Sequence, residues 1–234
     1  SNTQNVSISL SADGKLIAIS EYSDEQKGNV TLYKQDNETW KQIGDSIKDL
    51  EGVPFVSLSG DGKLIFIGKF IDDNLGSVSV YELKEDTLIK FSEDITSFHS
   101  CLSTSYDGKT VAVGSFTGIN LYTQNGQSWL KLGNTIQPNS IRFISSISIS
   151  NDGKTIAFAA TCDNQDSDVF VHKYDENTTQ WVQIGDFKYS LANNDREIEN
   201  TIVSLSGSGN TLCIVNTQIL VYKFESNKWN KYGH

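Results

Sequence analysis

One sequence pattern recurs five times along this chain of 234 residues. Each copy has an alternating Ser/apolar run, a tight turn that ends in D-G-K, and a second apolar run; the fifth copy relaxes the turn to S-G-N. The turn glycines are Gly14, Gly62, Gly108, Gly153 and Gly209, which are 48, 46, 45 and 56 residues apart. A period of this length indicates a repeat architecture, so it constrains the fold more than any other feature of the chain.

The second half of each copy repeats as well. A V-x-(L/V)-Y run, with His172 in place of Tyr in the fourth copy, precedes a short W-x-x-(I/L)-G segment. The tryptophan position holds Trp40, Trp129, Trp181 and Trp229, and Leu88 replaces it in the second copy. Each copy therefore contains four strand-length runs, A to D in chain order. We expect the tryptophans to occupy equivalent, largely buried places on outer strands.

Four antiparallel strands per repeat predict an all-β, five-bladed β-propeller with little or no helix. A linear β-solenoid is the structural alternative, but D-G turns favour antiparallel hairpins. We expect one domain over residues 1–234, with blades near 5–47, 53–95, 100–136, 145–187 and 201–233. Every blade should be contiguous in sequence, and the ring should close through packing of blade one on blade five. The strand serines should lie between blades, where small residues let the sheets approach.

The combined pattern S-x-D-G-K…(I/V)-A-x-(S/G)…V-x-(L/V)-Y…W-x-x-(I/L)-G resembles the WD40-like and YVTN-like propeller superfamily over nearly the whole chain. The W-D and G-H pairs of true WD40 repeats are absent, so the resemblance is one of architecture. The blade number is also similar to that of tachylectin-type lectins, without their sugar-binding signature. The resemblance implies that A strands line the channel, and that the D–A and B–C connections share one face, called here the loop face.

Composition limits the function classes. The net charge is −10, with 29 acidic and 19 basic residues and no Lys/Arg run, which argues against nucleic-acid binding and against docking on an anionic membrane. No apolar stretch is long enough to span a membrane. The expectation is a soluble monomer, cytoplasmic or secreted, since a targeting segment could have been removed. The cysteines (Cys101, Cys162 and Cys213) read as free buried thiols, although a disulfide between two of them stays open.

The loop face is where we expect a ligand, because variation between the copies concentrates there. The longest connection is residues 186–200, which also reads as a tolerated surface insertion. Only two of the basic residues are arginines, and both fall between strands; Arg pairs well with carboxylates or hydroxyls. The candidate ligand-binding residues are Arg142, Arg196, Tyr189, Phe98, His99 and Phe143.

Neither a catalytic motif nor a cofactor motif is present, so no catalytic residue, metal or cofactor is predicted. The acidic B–C loops are best interpreted as solvated, although the loop containing Asp163, Asp166 and Asp168 comes nearest to a calcium loop. We therefore expect a non-enzymatic module that binds a protein or carbohydrate partner. Two alternatives remain: a propeller enzyme, a hydrolase or lyase with its site at the channel mouth, and a purely structural surface domain.

Overall fold

A computed structural model describes residues 3–23, 27–72, 75–96, 101–115, 118–139, 141–162, 167–189 and 201–233. These residues form five antiparallel sheets, each built from four consecutive strands in the order A-B-C-D, and no helix. The predicted all-β, five-bladed propeller is confirmed. Since β1 pairs with β2 in the first sheet, the prediction that each blade is contiguous is confirmed as well.

The strands of blades one and two are β1 (Thr3–Leu10), β2 (Leu16–Ser23), β3 (Lys27–Asp36), β4 (Thr39–Glu51), β5 (Val53–Leu58), β6 (Leu64–Asp72), β7 (Leu75–Lys84) and β8 (Thr87–Lys90), with a short β9 (Ile95–Thr96) that also pairs with β7. Blade three contains β10 (Cys101–Thr104), β11 (Thr110–Ser115), β12 (Gly118–Asn125) and β13 (Ser128–Lys131). Blades four and five contain β14 (Ile141–Ile149), β15 (Thr155–Cys162), β16 (Ser167–Asp175), β17 (Gln180–Tyr189), β18 (Ile202–Leu205), β19 (Thr211–Val215), β20 (Ile219–Glu225) and β21 (Lys228–Lys231).

The S-x-D-G-K turn owes its recurrence to a local hydrogen-bond pattern. In blade one the Ser11 hydroxyl donates to Asp13 Oδ1 at 2.6 Å and accepts from the Leu16 N–H at 3.0 Å, while the Lys15 N–H donates to Asp13. The Ser11 and Lys15 bonds lower the pKa of Asp13 below its usual value. Gly14 has φ +69°, a conformation that favours glycine. The same bonds recur in blades two to four.

Serines tie each blade to the next. The N–H of Leu58 in blade two donates to Ser9 Oγ of blade one at 2.9 Å, and that of Leu205 in blade five donates to Ser148 Oγ of blade four at 2.9 Å. The A–B turns are joined as well, for example by the bond from Ala12 N–H to Gly60 O at 2.9 Å. The expectation that strand serines lie between blades is therefore confirmed.

Apolar packing between blades forms the core. Among the described residues, four apolar clusters are found, and each joins two consecutive blades: one with two, two with three, three with four, and four with five. None of these clusters joins blade five to blade one. Ile8 and Leu10 of β1, which closure would cover, are largely exposed. The predicted closure through packing of blade one on blade five is therefore wrong: the five blades form an open arc.

The tryptophans do lie at equivalent places on the fourth strands, but their burial differs. Trp181 is buried, Trp129 and Trp229 are half-buried, and Trp40 is exposed. The reason is that each Trp packs on the preceding blade: Trp181 Nε1 donates to Leu132 O at 2.9 Å, and Trp129 Nε1 donates to Ser92 Oγ at 3.0 Å. Trp40 belongs to the first blade, so the expectation that all four are buried is wrong.

Candidate functional site

Two of the six predicted ligand-binding residues have described side chains. Both stand at the start of β14, where Arg142 is exposed and Phe143 is half-buried. Tyr189 is the last residue of β17, and its side chain lies outside the described part. Arg196, Phe98 and His99 lie outside the described residues. That all six form one site therefore stays a prediction.

Strand register places several of these positions at the loop-face edge of blade four. Phe143 pairs with Thr161, Thr161 with Ser167, and Ser167 with Tyr189, so one row crosses the whole sheet. Arg142 falls where the β14–β15 register shifts, between the pairs formed by Ile141 and Phe143. A bulge of this kind redirects a side chain at a sheet edge, and bulges are common beside functional sites.

A carboxylate and a thiol meet beside this edge. The Cys162 thiol donates to Asp168 Oδ2 across 3.5 Å, with Cys162 buried and Asp168 half-buried. Cys162 pairs with Ile141, the neighbour of Arg142, and Asp168 pairs with Lys188 on the other side. This edge of blade four therefore carries an acid among basic groups. Sequence reasoning considered Asp168 only as part of an acidic loop, because the register that brings it toward Cys162 and Arg142 is not readable from spacing.

Hydroxyl groups bind the loop-face ends of blades four and five together. Ser167 Oγ donates to Thr201 Oγ1 at 2.7 Å, and Ser145 Oγ donates to Thr201 O at 3.0 Å. Thr201 is almost completely buried. Because these hydroxyls are buried and satisfied, they hold the two blades in position and are not exposed nucleophiles.

His172 occupies the place of the repeated tyrosine inside blade four. Its ring stacks on Phe158 with centroids 5.7 Å apart, it is buried, and its Nδ1 has no hydrogen-bond partner. Burial lowers its pKa to about 4. His172 is therefore neutral near pH 7 and is shielded from solvent, as expected of a structural substitution.

The cysteines are free thiols, which confirms that interpretation and removes the disulfide alternative. Within the ranges that the structure describes, no group of three or more His, Cys, Asp or Glu could hold a metal ion. Asp163 and Asp166 of the acidic loop lie outside those ranges. No helix in the described part of the chain is long and apolar enough to cross a membrane.

No family model and no curated protein sequence matches the chain. Solved structures do match. A Lactobacillus plantarum protein has a TM-score of 0.72 at 15% identity, over 100% of this chain and 71% of its own. The periplasmic gluconolactonase PpgL of Pseudomonas aeruginosa has a TM-score of 0.69 at 16% identity, over 97% and 70%. A candidate 6-phosphogluconolactonase of Bacteroides uniformis has a TM-score of 0.58 at 12% identity, over 96% and 83%. Such identities establish the shared fold.

These matches correct the functional expectation. The chain was expected to be a non-enzymatic binding module, and the solved structures that share its fold include a gluconolactonase and candidate 6-phosphogluconolactonases. The comparison favours the enzyme alternative of the sequence analysis, a propeller hydrolase, over a binding module. The matches also give no support to a lectin or a scaffold. The assignment as a β-propeller is confirmed, whereas the finer placement with WD40-like or tachylectin-type proteins is not.

Proposed function

We propose that the chain is part of a propeller hydrolase that opens the ring of a sugar-acid lactone. The observation that carries this proposal is the likeness to PpgL, which extends over 97% of the chain with a TM-score of 0.69. An extracytoplasmic location belongs to the same proposal, since PpgL is periplasmic by its description. The turn pattern is consistent with a place among WD40-like and YVTN-like propellers, which we keep as a proposal.

The loop-face edge of blade four offers the required chemistry. Opening a lactone needs a base to take a proton from water as the water oxygen attacks the carbonyl carbon; the ring C–O bond then breaks and the freed oxygen takes up a proton. Asp168 is the candidate base, because it is half-buried and beside the loop face. Arg142 is the candidate group for the carbonyl oxygen or a substrate anion, since guanidinium donors suit both.

The test measures acid release by the 234-residue chain from glucono-lactone and 6-phosphoglucono-lactone in a pH-stat. We expect hydrolysis above the spontaneous rate, a loss of at least about 100-fold in Asp168→Asn, which matches the usual contribution of a general base, and a smaller loss in Arg142→Ala. The matched control is Asp45→Asn, an exposed carboxylate on β4 in blade one.

Hydrolysis no faster than the spontaneous rate with both lactones would refute the proposed activity. Full activity in Asp168→Asn would keep the activity and move the base to another residue.

A further inference from the structure

The end blades of the arc expose apolar positions that are buried in the inner blades. In blade one, Ile8 and Leu10 of β1 are 58% and 50% exposed. The residues at the same places of the next repeat, Val56 and Leu58, are each 5% exposed because they pack on blade one. The backward face of blade one, defined by Ile8, Leu10, Ile17 and Ile19, therefore has the composition of an interblade surface without a blade on it.

Blade five shows the complementary face. Ile219 of β20 is 73% exposed, whereas Val30, Val78, Ile119 and Val169 at the same repeat position are all fully buried. Strand β19 behaves in the same way. Thr211, Cys213 and Val215 are half-buried, while their counterparts in blade four (Thr155, Ala157 and Ala159) are buried. Thr211, Cys213, Val215 and Ile219 define the forward face of blade five.

Hydrogen-bonding groups are exposed along with these faces. Ser9 and Ser148 each accept an N–H bond from strand A of the following blade, at 2.9 Å in both cases. Ser204 holds the same repeat position in blade five and is exposed. Trp40 is 43% exposed, whereas Trp181 uses the same position to pack on the preceding blade. The two faces therefore repeat, group for group, the two sides of an inner interface.

We propose that the backward face of blade one and the forward face of blade five bind a pair of β-blades of this same repeat type, which closes the ring. The size follows from the comparisons. If 234 residues match 71% of the Lactobacillus plantarum chain, that chain has about 234/0.71, or 330, residues, which leaves about 95. At 45 to 48 residues per copy, this is about two blades. A second copy of the chain would bring five blades, which is too many for such a gap.

The complementarity has a direction. The first added blade must place apolar residues of its strand A on Thr211, Cys213 and Val215, and donate an N–H to Ser204. The second must present small residues and a serine-bearing strand A to Ile8 and Leu10. The inner copies have both faces, as the packing of blades two and three on their neighbours demonstrates.

The experiment extends the chain with a duplicate of residues 53–139, which comprise blades two and three, placed after Gly233. We expect a monomer by light scattering whose melting temperature is at least about 10 °C higher, since each kcal/mol gained adds about 2–4 °C in a domain of this size. In the 234-residue chain, Leu10→Ser should change the melting temperature by no more than about 2 °C, and in the extended chain it should lower it by at least about 6 °C. Leu58→Ser is the matched control, which should destabilise both chains.

Three outcomes would overturn the proposal. The first is an extended chain that melts no higher than the original. The second is an effect of Leu10→Ser that is equal in the two chains. The third is a 234-residue chain that dimerises and is made monomeric by Ile219→Arg or Leu10→Arg, because the occupant is then a second copy. If the extended chain does not fold, the same duplicate is placed before residue 1, and failure of both versions also counts against the proposal.

Discussion

Trp181 is the position at which the packing of one blade on another can be measured most directly. It is 4% exposed, its ring lies 5.3 Å from that of Tyr174, and its Nε1 donates to Leu132 O of blade three. Truncation of a buried Trp to Ala costs about 3–5 kcal/mol. About 1 kcal/mol of this belongs to the hydrogen bond and about 0.5–1.5 kcal/mol to the aromatic pair. We expect Trp181→Ala to lower the free energy of unfolding by about 3–5 kcal/mol.

Trp40→Ala is the matched control, because the residue has the same repeat position and is 43% exposed. It should cost less than half as much as Trp181→Ala. Trp181→Phe keeps the ring and removes only the N–H donor, so it should lose about 1 kcal/mol. Urea unfolding followed by circular dichroism gives all three values, provided that the denaturant slope stays constant. Equal losses in Trp40→Ala and Trp181→Ala would refute the inference that each Trp is buried by the preceding blade.

Two further predictions concern His172 and Ser59. The folded-state pKa of His172, about 4, lies below its ordinary 6.5, so the stability that neutral His172 allows is complete above pH 6.5 and is lost as the pH falls toward 4. The loss is on the order of 3 kcal/mol, and urea midpoints at pH 7 and 4.5 should show a smaller acid loss in His172→Phe than in wild type; equal losses would contradict it. Ser59 Oγ donates to Asp61 at 2.7 Å and accepts from Leu64 N–H at 2.9 Å, so Ser59→Ala should cost about 1–3 kcal/mol in urea unfolding. Exposed Ser128→Ala is its control, and a Ser59→Ala loss no larger than the control's would show that the turn bonds contribute nothing.

The repeat made the blade count and the turn chemistry predictable, because both are local. The Ser11–Asp13–Lys15 bonds and the positive φ of Gly14 depend only on residues adjacent in sequence. Burial of Ile8 or Trp40 depends instead on whether a neighbouring blade is present, and the residue types are the same in both cases. For this reason the pattern predicted a closed ring, and the structure is an open arc.

The candidate site was harder to predict for a related reason. Arg142 was selected because arginine is scarce in this chain, and the structure does place it exposed at the loop face. The Cys162–Asp168 contact depends on the pairing of β15 with β16 across the B–C loop. A register shift of one residue would point Asp168 to the other side of the sheet, and spacing in the sequence cannot distinguish these two registers.

An arc of blades has one interface fewer than it has blades, and it leaves one forward and one backward face uncovered. Because each blade contacts only its neighbours, stability is approximately a sum of blade terms and interface terms. Five blades therefore share four interfaces, which correspond to the four apolar clusters. Two added blades would create three interfaces, two with the uncovered faces and one with each other. The stability gained on closure should thus exceed that of two blades added to one end, because the last interface forms without ordering any further blade.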